Sequence, residues 1–220
     1  MLPIIFTLAL DTTFAPGPPD GTYSYTETFQ GQPAGKTTVT VKRDASSITA
    51  SESASISAMG HAIAGTNTLT LGASTLAPAT YDATYAIDSA RTVHARLNVS
   101  GSSASESNDL VGPKSFSLAT GVKGFAVVDG GFMSGTMFLP AQEAIAHGAP
   151  LLGVVPSFGV SLPISAGAAF KPDRPHGVPA ADSVLAVAGQ QPFNVWYDPK
   201  TMVVDEVDVP SQRSSVLRTL

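Results

Sequence analysis

The chain has 220 residues, a length that a single all-β domain can use in full. Charged residues make up only 13% of it and just 12 residues are Lys or Arg, with a formal charge of −5, so no basic surface for a nucleic acid is expected. Because the sequence contains no cysteine, it excludes disulfides, thiolate catalysis, iron–sulfur clusters and cysteine zinc sites.

The first 20 residues are predicted to be a signal segment and a linker. Residues 2–10 form an apolar run that suits the hydrophobic part of a signal peptide and is too short to cross a bilayer as a helix. No Lys or Arg precedes this run, so a first β-strand stays open as an alternative. A Ser/Thr-rich, charge-poor chain without cysteine fits a bacterial envelope, and we expect a periplasmic or extracellular protein. The remaining residues, 21–220, are predicted to form one domain.

Two-residue alternation of apolar and polar side chains begins at Gly21 and predicts a series of β-strands. The clearest strand covers residues 92–99, in which Val, Ala and Leu alternate with Thr, His, Arg and Asn. Residues 48–58 keep a similar alternation, interrupted on the apolar side by Glu52. We interpret residues 100–108 (SGSSASESN) as a small polar loop at a hairpin tip. Strands that follow one another without intervening helices predict an antiparallel meander.

The period changes in residues 129–147 (DGGFMSGTMFLPAQEAIAH), where apolar side chains recur at offsets of three and four. This spacing predicts a short helical segment, broken by glycines and a proline. We expect Asp129 to cap its N-terminus, Pro140 to begin a second short helix and Gly148 to end it.

An apolar stretch without charged residues extends from residue 144 to residue 170 and is long enough for a membrane helix. Three prolines interrupt it, and each would break the hydrogen-bond ladder that a membrane helix must keep. We therefore predict no transmembrane span, and expect short buried strands at residues 152–158 and 160–166. A further strand is predicted at residues 183–188.

A hairpin is predicted near the end of the chain, in residues 193–209 (FNVWYDPKTMVVDEVDV). Alternating apolar side chains flank the sequence Asp-Pro-Lys-Thr, and Asp followed by Pro suits a type I turn. Together with the segment DGGFMSGTMFLPAQEAI, this hairpin resembles exported bacterial proteins of the LolA-like superfamily. The resemblance implies a mainly β fold, in which one curved antiparallel meander forms an incomplete barrel around a short broken helical segment. It also implies an apolar cavity, whereas the arginine important to the lipoprotein carriers of that family has no matching position.

Six apolar side chains are candidates for the lining of such a cavity. They are Phe132, Met133, Met137, Phe138, Ile145 and Trp196. Met and Phe accommodate varied apolar ligands, and the helical segment would then close the cavity as a lid. The alternative is that the same residues fill the sheet's concavity as ordinary core, because apolar stripes at helical spacing usually pack against a sheet. For Trp196, the alternative is an outward position that shields a sheet edge.

No set of residues spells out a reaction. Asp129 is followed by Gly130, whereas aspartic-protease chemistry needs a second carboxylate and a Ser or Thr at that place. Asp173, His176, Asp182 and Ser183 are the ingredients of a hydrolase, but a polar Pro-rich turn between strands is the simpler explanation. The histidines lack metal-ligand spacing and no phosphate-binding glycine motif occurs, so we assign no catalytic residue, metal or cofactor.

Three hypotheses on function follow. The first is an extracytoplasmic, non-enzymatic protein that binds a lipid or another apolar ligand in a β half-barrel cavity. The second is a structural or interaction module of the cell envelope with a solid core. The third is a hydrolase. An empty apolar volume favours the first hypothesis and dense packing favours the second.

Overall fold

The computed structural model describes residues 17–58, 60–130, 132–165, 172–175, 177–188 and 192–219. Its first eight strands form an antiparallel meander in which each strand pairs with the next. They are β1 (Gly21–Phe29), β2 (Gln32–Arg43), β3 (Ser47–Ala58), β4 (His61–Gly72), β5 (Pro78–Ile87), β6 (Arg91–Ser100), β7 (Ser103–Asn108) and β8 (Lys114–Ser117). The meander expected from the alternation is therefore confirmed. Residues 1–16, most of the predicted signal segment and linker, lie outside the described residues.

One face of the meander is apolar and buried, and we call it the inner face. In β6, Val93, Ala95 and Leu97 are buried, whereas Thr92 and His94 between them are exposed. Successive side chains of a strand point to opposite faces, and residues paired directly across two strands share a face. This alternation is the reason why the sequence pattern identifies the inner face.

The interpretation of residues 100–108 as a polar loop is wrong. Gly101 and Ser102 make a tight turn, and β7 begins directly after them. In β7 the side chains of Ala104, Glu106 and Asn108 are buried on the inner face, while the serines between them are exposed. A strand with two polar residues on its buried side has no hydrophobic alternation to reveal it.

Three shorter strands form a second sheet. They are β9 (Phe125–Val127), β10 (Leu151–Val155) and β11 (Val160–Ile164), where β10 is parallel to β9 and antiparallel to β11. Strands β10 and β11 lie in the uncharged apolar stretch, as the rejection of a membrane helix requires, although residues 166–170 of that stretch are outside the described part. Among the described residues, no helix is long and apolar enough to cross a membrane.

The segment 129–147, called the insert from here on, connects β9 to β10 and contains the broken helix. A 3-10 turn (Thr136–Phe138) leads into α1 (Leu139–Ala146), with Pro140 as its second residue. The helix ends where His147 and Gly148 adopt positive φ angles of 52° and 76°. The predicted break, the proline near the helix start and the glycine stop are confirmed, while the expected helical path before residue 136 is wrong.

Four more strands extend the large sheet past β1. They are β12 (Ser183–Val187), β13 (Phe193–Tyr197), β14 (Val204–Val209) and β15 (Ser214–Thr219). Because β15 pairs with β1, twelve of the described strands form one antiparallel sheet in the order β12-β13-β14-β15-β1-β2-β3-β4-β5-β6-β7-β8. The terminal hairpin is confirmed, and its Asp198 carboxylate accepts a 2.8 Å hydrogen bond from the N–H of Lys200. The mainly β fold class is likewise confirmed.

The insert packs onto the inner face. Met137, Phe138 and Leu139 have no exposed surface (0%) and belong to the same hydrophobic cluster as buried side chains of the large sheet, such as Val39 and Leu69. The side-chain amide of Gln142 on α1 also donates a 2.8 Å hydrogen bond to the carbonyl of Leu76, after β4. The insert is therefore part of the core.

Candidate functional site

The start of the insert is fixed by a carboxylate on the inner face. Glu52 on β3 accepts hydrogen bonds from the N–H groups of Met133 (2.7 Å) and Ser134 (2.8 Å) and from the side-chain amide of Asn67 (2.8 Å). The Ser134 hydroxyl in turn donates to the Asn67 amide oxygen at 2.6 Å. Glu52, the residue that interrupts the apolar alternation, therefore receives the donors of a segment about 80 residues further along the chain.

A second buried carboxylate, Asp129, joins three parts of the fold. It accepts hydrogen bonds from the Tyr81 hydroxyl on β5 (2.6 Å), and from the N–H (3.0 Å) and hydroxyl (2.8 Å) of Ser157 in the β10–β11 turn. The prediction of Asp129 as a helix cap is wrong, because the helical residues begin at Thr136 and no side chain caps them. An Asp before a helical pattern usually caps, but here its distant partners determine its role.

Burial dominates the titration of both carboxyl groups. It raises the pKa of Glu52 and of Asp129, and the hydrogen bonds that each carboxylate accepts oppose the rise. Tyr81 is affected in the same sense: burial and the neighbouring Asp129 charge raise its pKa well above the usual value. These groups form a satisfied polar network that ties the insert to the sheet.

The six predicted cavity-lining residues do not gather around one empty space. Met133, Met137 and Phe138 are buried in the main core, and Phe132 is buried in a second, smaller cluster. Ile145 lies on the exposed side of α1. It borders a surface depression of about 470 Å³ together with Gly17, Ser74, Ala141, Ala144, His147 and Met202.

Trp196 lies on the outer face of the large sheet, away from the insert. It pairs with Glu206, which pairs with Leu217, which pairs with Thr26, so these side chains share a face opposite to that of Tyr25. Its ring is buried beneath the guanidinium of Arg174, whose Cζ lies 4.8 Å from the ring centroid. This cation–π contact covers part of the Trp196 ring.

The second cluster lies at one end of the large sheet and contains Phe132. Its buried members are Ala34, Ala54, Ile56, Tyr85, Val93 and Phe132, with the partly buried Phe29, Ile63 and Ile87 beside them. The rings of Phe132 and Tyr85 meet edge to face, with centroids 6.1 Å apart. Of the predicted lining residues, Phe132 is therefore the one that lies close to the turns at this end of the sheet.

A depression of about 520 Å³ adjoins this cluster, and we call it the mouth. It is lined by Phe29, Gln30, Gln32, Pro33, Ala34, Ser57 and Gly60, on the β1–β2 and β3–β4 turns. Glu27 lies on the same face as Ile56 because both pair with Gly35. Its carboxylate accepts a 2.5 Å hydrogen bond from the Thr37 hydroxyl, and burial raises its pKa to about 7. Glu27 was not predicted as a site residue, although a Glu in the same alternation as Tyr23 and Tyr25 is the sequence signal that identifies it.

Another buried carboxyl group is that of Glu106 on β7, and neither of its oxygens has a hydrogen-bond partner among the described residues. Burial, reinforced by the charge of Asp129 and opposed by Lys114, raises its pKa to about 7. A carboxyl group in this state is protonated over much of the acidic range. It was missed with the rest of β7, because the segment was interpreted as a loop.

Of the hydrolase ingredients, Asp173 is exposed, Asp182 is buried and His176 lies outside the described residues. Asp182 stands beside Asp205, the extra residue of a bulge in β14, and Asp205 forms a 2.6 Å ion pair with Arg218. Burial and the neighbouring Asp205 carboxyl raise the pKa of Asp182 to about 6. Two adjacent carboxyl groups of this kind can share one proton.

Comparison with known proteins supports the fold. No family model and no curated protein matches the chain. It is similar to the crystal structure of a β-barrel-like protein of a domain of unknown function, DUF1849, from Brucella abortus. The two chains share 10% identity at a TM-score of 0.53, with 92% of this chain and 96% of that chain covered. This likeness shows a barrel-like fold, while membership of the LolA-like superfamily stays a prediction.

Proposed function

We propose that the chain is an extracytoplasmic, non-enzymatic protein that binds the tail of a lipid or a similar apolar ligand at the mouth. The observation that supports this function is the second cluster, which is separate from the main core and adjoins a depression of about 520 Å³. Because the insert packs against the inner face, we place the ligand site at the mouth and not in the barrel cavity expected from the sequence.

The lining of the mouth suits an amphipathic ligand. Phe29 and Ala34 offer apolar surface, and Ile63 and Ile87 beside them are only partly buried. Each CH₂ group sequestered from water contributes about 0.8 kcal/mol. The rim carries Gln30, Gln32 and Ser57, whose side chains can hydrogen-bond a polar head group. An apolar site with a few polar groups is typical of small-molecule binding sites.

A fluorescent fatty-acid probe tests the proposal. The wild-type protein should bind it saturably, and Phe29→Ser should weaken binding about tenfold by removing apolar contact in the lining of the mouth. Ile145→Ser is the matched control, because Ile145 borders the other depression. Circular dichroism would check that each variant keeps its fold. Saturable binding that Phe29→Ser leaves unchanged would place the ligand elsewhere and contradict the proposal.

The second candidate is a structural or interaction module of the cell envelope with a solid core. It is favoured by the complete burial of Met137, Phe138 and Leu139 within the sheet's inner face. This candidate predicts that the wild-type protein binds no fatty-acid probe, and that native mass spectrometry of protein purified from a bacterial envelope gives the bare mass. Either result separates it from the lipid-binding proposal.

A further inference from the structure

Four exposed large apolar side chains gather on two neighbouring turns. Leu110 and Val111 belong to the β7–β8 turn, and Phe158 and Val160 belong to the β10–β11 turn and the start of β11. Phe158 is 63% exposed, the largest value for such a side chain in the described part. We call residues 109–112 and 156–160 the apolar tip. A contiguous apolar patch on a surface marks a place of contact with a partner or a membrane.

The two turns of the apolar tip are packed onto each other. Gly159 adopts a φ of 63°, and a Cβ added there would lie 2.5 Å from Cγ2 of Val111. The side-chain amide of Asn108 donates a 2.6 Å hydrogen bond to the carbonyl of Pro156. The buried Asp129 holds Ser157, directly before Phe158. These contacts hold the backbone of Phe158 in place. Less conformational entropy is therefore lost when Phe158 contacts a partner or a membrane.

The backbone N–H groups at the centre of both turns are already bonded within the chain. In residues 109–112 and 157–159, each N–H donates to an oxygen at 2.7–3.4 Å. The acceptors are His94 and Asn108 for the first turn, and Asp129 and Val155 for the second. Such saturation lets a backbone segment enter an apolar medium without the cost of unpaired donors. It also leaves these turns no free donors for pairing with an added peptide strand.

Cationic side chains flank the apolar tip. The guanidinium of Arg91 lies 3.4 Å from the carbonyl of Asp109, and Lys114 follows the β7–β8 turn on the exposed edge of β8. Of the acidic side chains at this place, Asp109 is engaged by the N–H of His94 at 3.0 Å, and the buried Glu106 pairs with Lys114 across β7 and β8. Two cations beside exposed apolar side chains complement the head groups of anionic lipids.

We propose that the apolar tip inserts into the surface of an anionic lipid bilayer, with Phe158 as its main anchor and with Arg91 and Lys114 at the level of the head groups. The saturated N–H groups favour a lipid over a protein edge strand, and the cations favour an anionic surface. This proposal does not depend on ligand binding at the mouth. It concerns attachment to a membrane surface.

Flotation with vesicles tests the attachment. Wild-type protein should associate with vesicles of phosphatidylglycerol and phosphatidylcholine more strongly than with phosphatidylcholine alone. Phe158→Ser should lower the partition coefficient about tenfold, or about 1.4 kcal/mol, because it removes the most exposed apolar side chain of the tip. Ile145→Ser, which removes an exposed apolar side chain elsewhere, should leave the coefficient unchanged.

A fluorescence measurement provides a second readout. Phe158→Trp places a tryptophan at the apolar tip, whereas the native Trp196 is buried. When anionic vesicles are added, the tryptophan emission of the Phe158→Trp variant should shift to the blue. The emission of the wild type should not shift. Absence of vesicle association, or equal association of wild type and Phe158→Ser, would overturn the proposal. A tip that fails with vesicles but is needed for capture of a protein partner would likewise contradict the lipid assignment.

Discussion

Glu106 makes the stability of the fold depend on pH, and its substitution by glutamine should remove part of that dependence. In the described part of the chain its buried carboxyl group has no hydrogen-bond partner, and burial raises its pKa from 4.5 to about 7. The folded state therefore holds a proton that the unfolded state releases at a lower pH. The stabilisation is complete below about pH 4.5 and is lost as the pH rises through about 7.

The size of the effect follows from the pKa. One pH unit corresponds to about 1.4 kcal/mol, so a carboxyl group with this change loses roughly 2 kcal/mol of folding free energy between about pH 5 and pH 8. Glu27 and Glu206, whose pKa values burial raises to about 7, act in the same direction. The wild-type protein should thus be more stable at pH 5 than at pH 8. The difference in its unfolding free energy should exceed the part that Glu106 contributes.

Urea denaturation at both pH values, followed by circular dichroism, measures this share. In Glu106→Gln the loss of unfolding free energy from pH 5 to pH 8 should be about 2 kcal/mol smaller than in the wild type. Glu143→Gln on α1 is the control for the loss of a carboxyl group, because that side chain is only partly buried. If Glu106→Gln and the wild type lose the same free energy over this range, Glu106 is not the buried proton carrier inferred from its surroundings.

Three further substitutions test the packing by urea denaturation. Gly65→Ala should destabilise the fold by about 1–3 kcal/mol, because its Cβ would lie 2.5 Å from Cβ of Tyr85, and an unchanged midpoint would contradict this close approach. Asp129→Ala should cost about 2–5 kcal/mol, as three donors lose their acceptor, and a loss below 1 kcal/mol would argue against the network. Phe138→Ala should cost about 3–5 kcal/mol and Ile145→Ala less than about 1 kcal/mol, whereas equal losses would mean that Phe138 is not core.

The sheet could be predicted from the sequence because its inner face follows a local rule. Alternation over a few residues identified strands such as β6, and the turn residues of the terminal hairpin identified β13 and β14. β7 was missed because its inner side chains include Glu106 and Asn108, which interrupt the apolar pattern. The burial of Asn108 is compensated by its hydrogen bond to the carbonyl of Pro156, 48 positions along the chain. A local pattern contains no information about such compensation.

The polar network could not be predicted for the same reason. Glu52 and Ser134 are 82 positions apart, and Tyr81 and Asp129 are 48 apart. The signal in the sequence was only a mismatch, a carboxylate on the apolar side of β3. A charged residue on the buried parity of a strand is a useful sign in itself, since its burial requires donors that must come from elsewhere in the chain. Here those donors identify the segment that fills the inner face.

The mouth and the apolar tip lie at the same end of the barrel, and the meander explains why. In an antiparallel sheet built from consecutive hairpins, the turns after β1, β3, β5 and β7 all fall at one end. The first two of these turns line the mouth and the turn after β7 belongs to the apolar tip. Tyr85 connects the two features, because its ring packs on Phe132 and its hydroxyl donates to the carbonyl of Ser157 at 3.4 Å. A bilayer that held the apolar tip would therefore lie at the same end of the barrel as the turns around the mouth.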